Sequence, residues 1–329
     1  MAKKFLLSLA ALSLGLAGCT TTYQSTLTEG VDNTVAPQQD FYRFVNGKWL
    51  AKAQIPADRT SWGTLAELNE LNEQRSIKFL QAVISEPKFA NDAKAQRLKA
   101  VYETYTDLNA REQAGLTPIA KDIEKIKQLN TFADLKHYLI EETKAGNEVL
   151  FGWSVFAHLK NSRQNAVYLS NVDLGLSNDY FQKDTPENRS ILQLYQDYIA
   201  QILGYANVSN PAAKAKAIVA YEKAIAKTLF TNEEDRDVQK RYNPTNMAQL
   251  NKLSKNIELA QYLKAVGVEA DEVILYEPRY FQALDQLINP QNLAVIKDYL
   301  LFRTLSDNAP YLNKEMDDVR FEFYGKKLV

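Results

Sequence analysis

Cysteine is nearly absent. The 329 residues hold one, Cys19, so no disulfide can form within the chain and a disulfide-stapled secreted domain is excluded. Histidine is almost as scarce: only His137 and His158 are present, and a zinc site needs several His, Cys or carboxylate ligands at fixed spacing. H-E-x-x-H does not occur, nor do G-x-S-x-G, the G-x-x-x-x-G-K-[ST] phosphate loop or G-x-G-x-x-G. His137 and Glu141 stand at i and i+4, but a solvated histidine explains the pair more simply. His158 falls in a strand-like stretch and reads as a half-buried structural residue. The run Glu233-Glu234-Asp235 reads as a solvated helix end. An excess of charge is also missing. The formal charge is −1, or −3 once Lys3 and Lys4 are set aside, which gives no ground for a nucleic-acid partner. No repeat of fixed period is found, so a helical solenoid is not expected. Read from chemistry alone, the chain contains no complete active site.

What is present begins with an address. Met1, Ala2, Lys3 and Lys4 form a short basic start, and Phe5 to Leu16 is an apolar run too short to span a bilayer stably. It ends in Leu16-Ala17-Gly18-Cys19, the pattern of a bacterial lipoprotein signal. Residues 1–18 are thus expected to be a signal peptide and Cys19 to carry the lipid, with two or more acyl chains needed for stable anchoring. Residues 19–39, rich in Thr, Gln and Asn, read as a flexible tether. Thr20 offers no acidic retention signal, so the expected location is the periplasmic side of the outer membrane, or the cell surface. No second apolar stretch is long enough to cross a membrane.

Helical punctuation dominates the remainder. Thr131 with Asp134 three residues on, Thr185-Pro186 and Asn210-Pro211 are helix starts. After Thr185 the apolar residues Ile191, Leu194, Tyr195, Tyr198, Ile199 and Ile202 keep helical spacing, and Gly204 is the expected cap. Long helices are also expected over 61–84, 92–108 and 290–306. Residues 149–159 and 166–172, rich in Val, Phe, Trp and Tyr, predict a β-hairpin about a polar turn at 160–165, and 273–276 one more short strand. The expected fold class is mainly α, a multi-helix domain with a small β-hairpin, forming one unit over 40–329. Phe321, Phe323 and Tyr324 have little following sequence to cover them, so they are expected to be exposed and the chain marginally stable alone.

One string is more specific. Asp40-Phe41-Tyr42-Arg43-Phe44-Val45-Asn46-Gly47-Lys48-Trp49 leads through Ile55-Pro56 to Ser61-Trp62-Gly63. It resembles the opening of the neprilysin and endothelin-converting-enzyme family of zinc metallopeptidases. Gly175-Leu176-Ser177-Asn178-Asp179-Tyr180-Phe181 is similar to that family's G-L-P-x-x-x-Y-Y segment, with Ser177 where Pro is usual. Arg236-Asp237 with Tyr242-Asn243-Pro244, and Phe323-Tyr324-Gly325-Lys326, agree with later segments. In physical terms the opening string is a short helix with an aromatic face, Gly47 allowing close approach and Trp62 a core anchor.

The resemblance implies the N-terminal helical lobe (40–329) of a membrane-anchored zinc endopeptidase that hydrolyses small peptides. It implies that the zinc ligands, and the C-terminal catalytic lobe bearing them, are not in this chain, which would be inactive alone. Some animal relatives carry an Arg and an Asp near the C-terminal end of the substrate. Ser61 and Ala66 take those places here, with Arg59 close by, so these three are candidate chamber positions and no strong preference for a free C-terminal carboxylate is expected. A non-catalytic peptide-binding or scaffold lipoprotein is the competing expectation.

Overall fold

The computed structural model describes residues 28–328 apart from 58 and 172, so the signal peptide and Cys19 lie outside the described residues. The chain divides into two compact units, one ending at Asp92 and one beginning at Ala93, where a single unit was expected over 40–329.

The first unit holds α1 (Phe41–Leu50) and α2 (Thr64–Ser85). Asp40 caps α1, its carboxylate accepting from Arg43 N at 2.9 Å. The described part of the expected tether, residues 28–39, is a run of turns bonded to α1: Asp32 N donates to Phe44 O at 2.7 Å and Lys48 N to Gly30 O at 3.1 Å. Gly47 is needed for this approach, because a Cβ there would sit 2.6 Å from Cβ of Asp32. Trp49 Nε1 donates to Glu67 at 2.7 Å, tying α1 to α2. The aromatic face is less buried than its spacing suggests: Phe41 and Leu50 are exposed, and Phe44, Val45, Trp49 and Trp62 are only half-buried. Trp62 is therefore not a core anchor. Only Val83 of α2 is buried, so this unit has almost no core of its own.

The second unit carries the core. Its first helices are α3 (Ala93–Thr106), α4 (Leu108–Ala114), α5 (Ala120–Lys127) and α6 (Phe132–Lys144). Both halves of the Thr131/Asp134 capping box form, Leu135 and Leu139 face inward, and Gly146 leaves the helix at φ +90. Next come β1 (Phe151–His158), β2 (Asn161–Asn171), α7 (Asn178–Gln182), α8 (Pro186–Tyr205) and α9 (Pro211–Ala226). Thr185 Oγ1 accepts from Asn188 N at 3.1 Å, and Tyr195, Tyr198, Ile199 and Ile202 are buried. Gly204 lies inside the last turn of α8; the left-handed residue that ends it is Asn207, at φ 53. Beyond α9 lie β3 (Asn243–Asn246), β4 (Glu272–Leu275), α10 (Leu293–Asn308) and α11 (Lys314–Phe321), with short helical turns between them. Helices α5, α8 and α9 all pack on α10.

The hairpin is part of a four-stranded sheet in the order β1-β2-β4-β3, with β2 and β4 parallel and the other pairs antiparallel. Its turn is tighter than the sequence suggests. β2 starts at Asn161, and pairing jumps from Ala157–Asn165 to His158–Asn161. The Tyr168 hydroxyl closes the turn from the side, donating to Ala157 O at 3.0 Å and accepting from Leu159 N at 3.2 Å. β3 escapes sequence reading because it contains Pro244, which an edge strand tolerates.

The chain's last aromatics also differ from expectation. Phe323 is 3% exposed and stacks on Tyr198 at 4.9 Å, whereas Phe321 is 58% exposed. Tyr324 is half-buried, its hydroxyl donating to Gly175 O at 3.0 Å. Preceding helices supply the cover that following sequence does not. Phe323→Ala should cost about 3–5 kcal/mol and Phe321→Ala less than about 0.5 kcal/mol in urea denaturation. Equal losses would contradict this packing.

Candidate functional site

A cavity of about 1060 Å³ lies in the second unit. One wall is a face of the sheet, where Ser154 and Phe156 on β1 share a side with Tyr168 and Ser170 on β2. The opposite wall is α10. Tyr299, Phe302 and Leu305 turn that helix to the core, while Leu300, Arg303, Thr304 and Asp307, at i, i+3, i+4 and i+7, line the cavity. Tyr138 and Glu142 of α6, with Glu148 beyond it, complete the lining. Glu148 folds onto β1 over Gly152, where a Cβ would meet its carboxyl carbon at 2.2 Å.

Both arginines of the lining are engaged. Arg303 donates to Asp173 O at 2.6 Å and to the Tyr299 hydroxyl at 3.2 Å, and reaches Asp307 at 3.2 Å. Arg241 donates to the Tyr276 hydroxyl at 2.7 Å, which in turn donates to Asp235 at 2.9 Å. Glu142, largely buried, accepts from Lys125 at 2.9 Å and from Asn147 at 2.7 Å. Burial in this lining pushes the Tyr138 phenol upward.

Behind the cavity lies a buried carboxyl. Glu222 of α9 is fully enclosed, and its Oε1 accepts from Gly175 N at 2.8 Å. The Tyr195 hydroxyl packs where Gly175 would carry a Cβ, at 1.7 Å, so no other residue fits there. Neither that hydroxyl nor Oε2 of Glu222 completes a hydrogen bond of ordinary geometry. Burial raises the Glu222 carboxyl to about 7, against the lowering effect of the Gly175 N–H and Tyr195. Glu277, which accepts from Phe230 N at 2.8 Å, is likewise raised to about 7 by burial.

Of the residues singled out from sequence within the second unit, neither His137 nor His158 lines this cavity. Arg59 precedes α2 and pairs with Glu73 at 3.4 Å and Glu70 at 3.8 Å; Ser61 is exposed and Ala66 half-buried in the first turn of α2. His137 is exposed on α6. His158 accepts from Lys160 N through Nδ1 at 3.1 Å and lies 3.3 Å from the Tyr242 hydroxyl through Nε2, a structural role. Among the described residues no three His, Cys, Asp or Glu side chains are placed to hold a metal ion, so they do not fit zinc. No described helix is long and apolar enough to cross a membrane. Glu148, Glu222 and Arg303 were not singled out from sequence. The polar stripe at 303, 304 and 307, beside the apolar 299, 302 and 305 of the same helix, was the available signal.

Glu222 has a measurable consequence. A carboxyl raised from 4.5 to about 7 keeps its proton in the folded state where the unfolded chain loses it. Its contribution to stability is whole below the unfolded value and falls as pH rises through the folded one. Glu222→Gln keeps the acceptor for Gly175. It should match the parent near pH 4 and exceed it near pH 8 by up to about 3 kcal/mol. A difference that does not change with pH, measured by urea denaturation, would refute the buried-acid account.

Residues 37–329 match the description Peptidase family M13. The chain is 28% identical over 296 residues to a neutral endopeptidase of Lactobacillus helveticus, covering 89% of this chain and 46% of that protein. It is 26% identical over 325 residues to rat endothelin-converting enzyme 1, covering 92% and 42%. Among solved structures it resembles a zinc metalloprotease of Mycobacterium tuberculosis in complex with an inhibitor. The TM-score there is 0.78 at 26% identity, over 92% of this chain and 46% of that one. PepO from Lactobacillus rhamnosis shares the fold, with a TM-score of 0.74 at 19% identity over 88% and 46%. The chain thus spans less than half the length of these relatives. It belongs to peptidase family M13, of which it holds the N-terminal region.

Proposed function

We propose that this chain is the N-terminal, chamber-forming part of a zinc metalloendopeptidase that hydrolyses small peptides, held at a membrane through lipid on Cys19. The family match over residues 37–329 carries the reading. Zinc would be bound outside this chain, which would not turn over peptides alone. Arg59, Ser61 and Ala66 are proposed chamber positions. No strong preference for a free C-terminal substrate carboxylate is expected from them. The lipoprotein part rests on Leu16-Ala17-Gly18-Cys19 and on Cys19 being the sole cysteine.

Two measurements test the proposal. The reading frame should continue beyond codon 329 into an H-E-x-x-H, and the protein it encodes should cleave a fluorogenic peptide, lose activity to a chelator and regain it with zinc. Chelator-resistant cleavage, or a frame without that motif, would sink the enzymatic reading. Separately, Cys19→Ser should move the protein from the membrane fraction to the soluble fraction. Unchanged fractionation would remove the anchor.

A further inference from the structure

The sheet has two edges, and they are built differently. β3, at one edge, has four residues and contains Pro244, which blunts strand pairing. β1, at the other, has eight residues, Phe151–His158, with no proline, lysine or carboxylate among them. β2 is the only strand bonded to it among the described residues. Phe151 and Gly152 are buried, but the strand becomes accessible beyond them and is exposed from Val155 to Ala157, so outward N–H and C=O groups of that part have no strand to receive them. Folded proteins normally protect such an edge with charge or proline, since an open one recruits extended chain. Phe156, on this strand, is 66% exposed and faces the cavity.

The cavity beside this edge is charged unevenly. Asp122, Glu142, Glu148, Asp173 and Asp307 line it against Arg241 and Arg303. Arg303 is taken up by Asp307 and Arg241 by Asp235. The carboxylates of Glu148 and Asp173 have no ion pair among the described residues.

We propose that this cavity binds extended, cationic peptide segments, which add as a strand to the free edge of β1 and set alternate Lys or Arg side chains toward Glu148 and Asp173. A strand bonded to β1 places every second side chain on the face that carries Ser154 and Phe156, which is the cavity face. The exposed Phe156 ring suits the same cations. The inference takes the kind of ligand, a peptide, from the peptidase reading. The site itself rests on the open edge and the lining charge.

The test is fluorescence anisotropy of the full chain with short labelled peptides at low salt. An alternating Lys–Val peptide should bind about tenfold more tightly than its Glu–Val counterpart, a gap that narrows with added salt. N-methylation of alternate backbone amides should abolish binding. Glu148→Gln and Asp173→Asn should each weaken it about threefold, with unchanged circular dichroism. Equal affinity for the Lys and Glu peptides, or indifference to N-methylation, would overturn the proposal. Charge-selective binding with no cleavage by the longer zinc-loaded protein would leave this site standing and sink the peptidase reading. Cleavage without that selectivity would do the reverse.

Discussion

The second unit depends on one buried contact, the Glu222 carboxyl against the Gly175 amide. A carboxyl with no solvent access is costly unless its lone pairs are met, so the backbone must come to it. Gly175 is the one residue type that lets it, since the Tyr195 hydroxyl fills the place of a side chain. Tyr324 then bonds Gly175 O, and Arg303 bonds Asp173 O two residues earlier. Four elements far apart in sequence thus pin a single loop. That loop leads from β2 to α7, and Asp173 within it lines the cavity.

This contact also accounts for what the sequence revealed and what it concealed. The helices were legible because each start carries its own signal: Thr131 with Asp134, Thr185 before Pro186, Asn210 before Pro211. The segment around Gly175 was legible only as a likeness to a family, because the residue that requires the glycine, Tyr195, lies twenty positions later. Glu222 gave no signal at all. A glutamate on a helix with apolar neighbours reads as its solvated face, and only the packed structure shows that it points inward. The same blindness applied to Phe323 and Tyr324. The rings that cover them, Tyr195 and Tyr198, precede them in the chain by more than a hundred residues.

The first unit erred in the opposite direction. Its aromatic string is the most recognisable stretch of the chain, and its spacing suggested a buried aromatic face with Trp62 as a core anchor. The structure shows half-buried rings around two helices, with hydrogen bonds carrying much of the order: Asp40 to Arg43 N, Trp49 to Glu67, Asp32 N to Phe44 O. Spacing can announce which residues share a helix face, but not whether anything lies against that face.

A helical domain has little reason to include a sheet unless a flat wall is needed, and here the sheet supplies one. Helix α10 supplies the facing wall because its sequence is two-sided, apolar at 299, 302 and 305 and polar at 303, 304 and 307. Closing such a space with side chains would have been simple with Leu or Phe at these positions. Polar groups there cost burial energy that a closed core would have gained. The cavity therefore trades packing for an open, carboxylate-bearing wall. That trade explains why Arg303 is fixed by three partners. A cation free to swing into the space would neutralise Glu148 and Asp173, and the bonds to Asp173 O, Tyr299 and Asp307 hold it back.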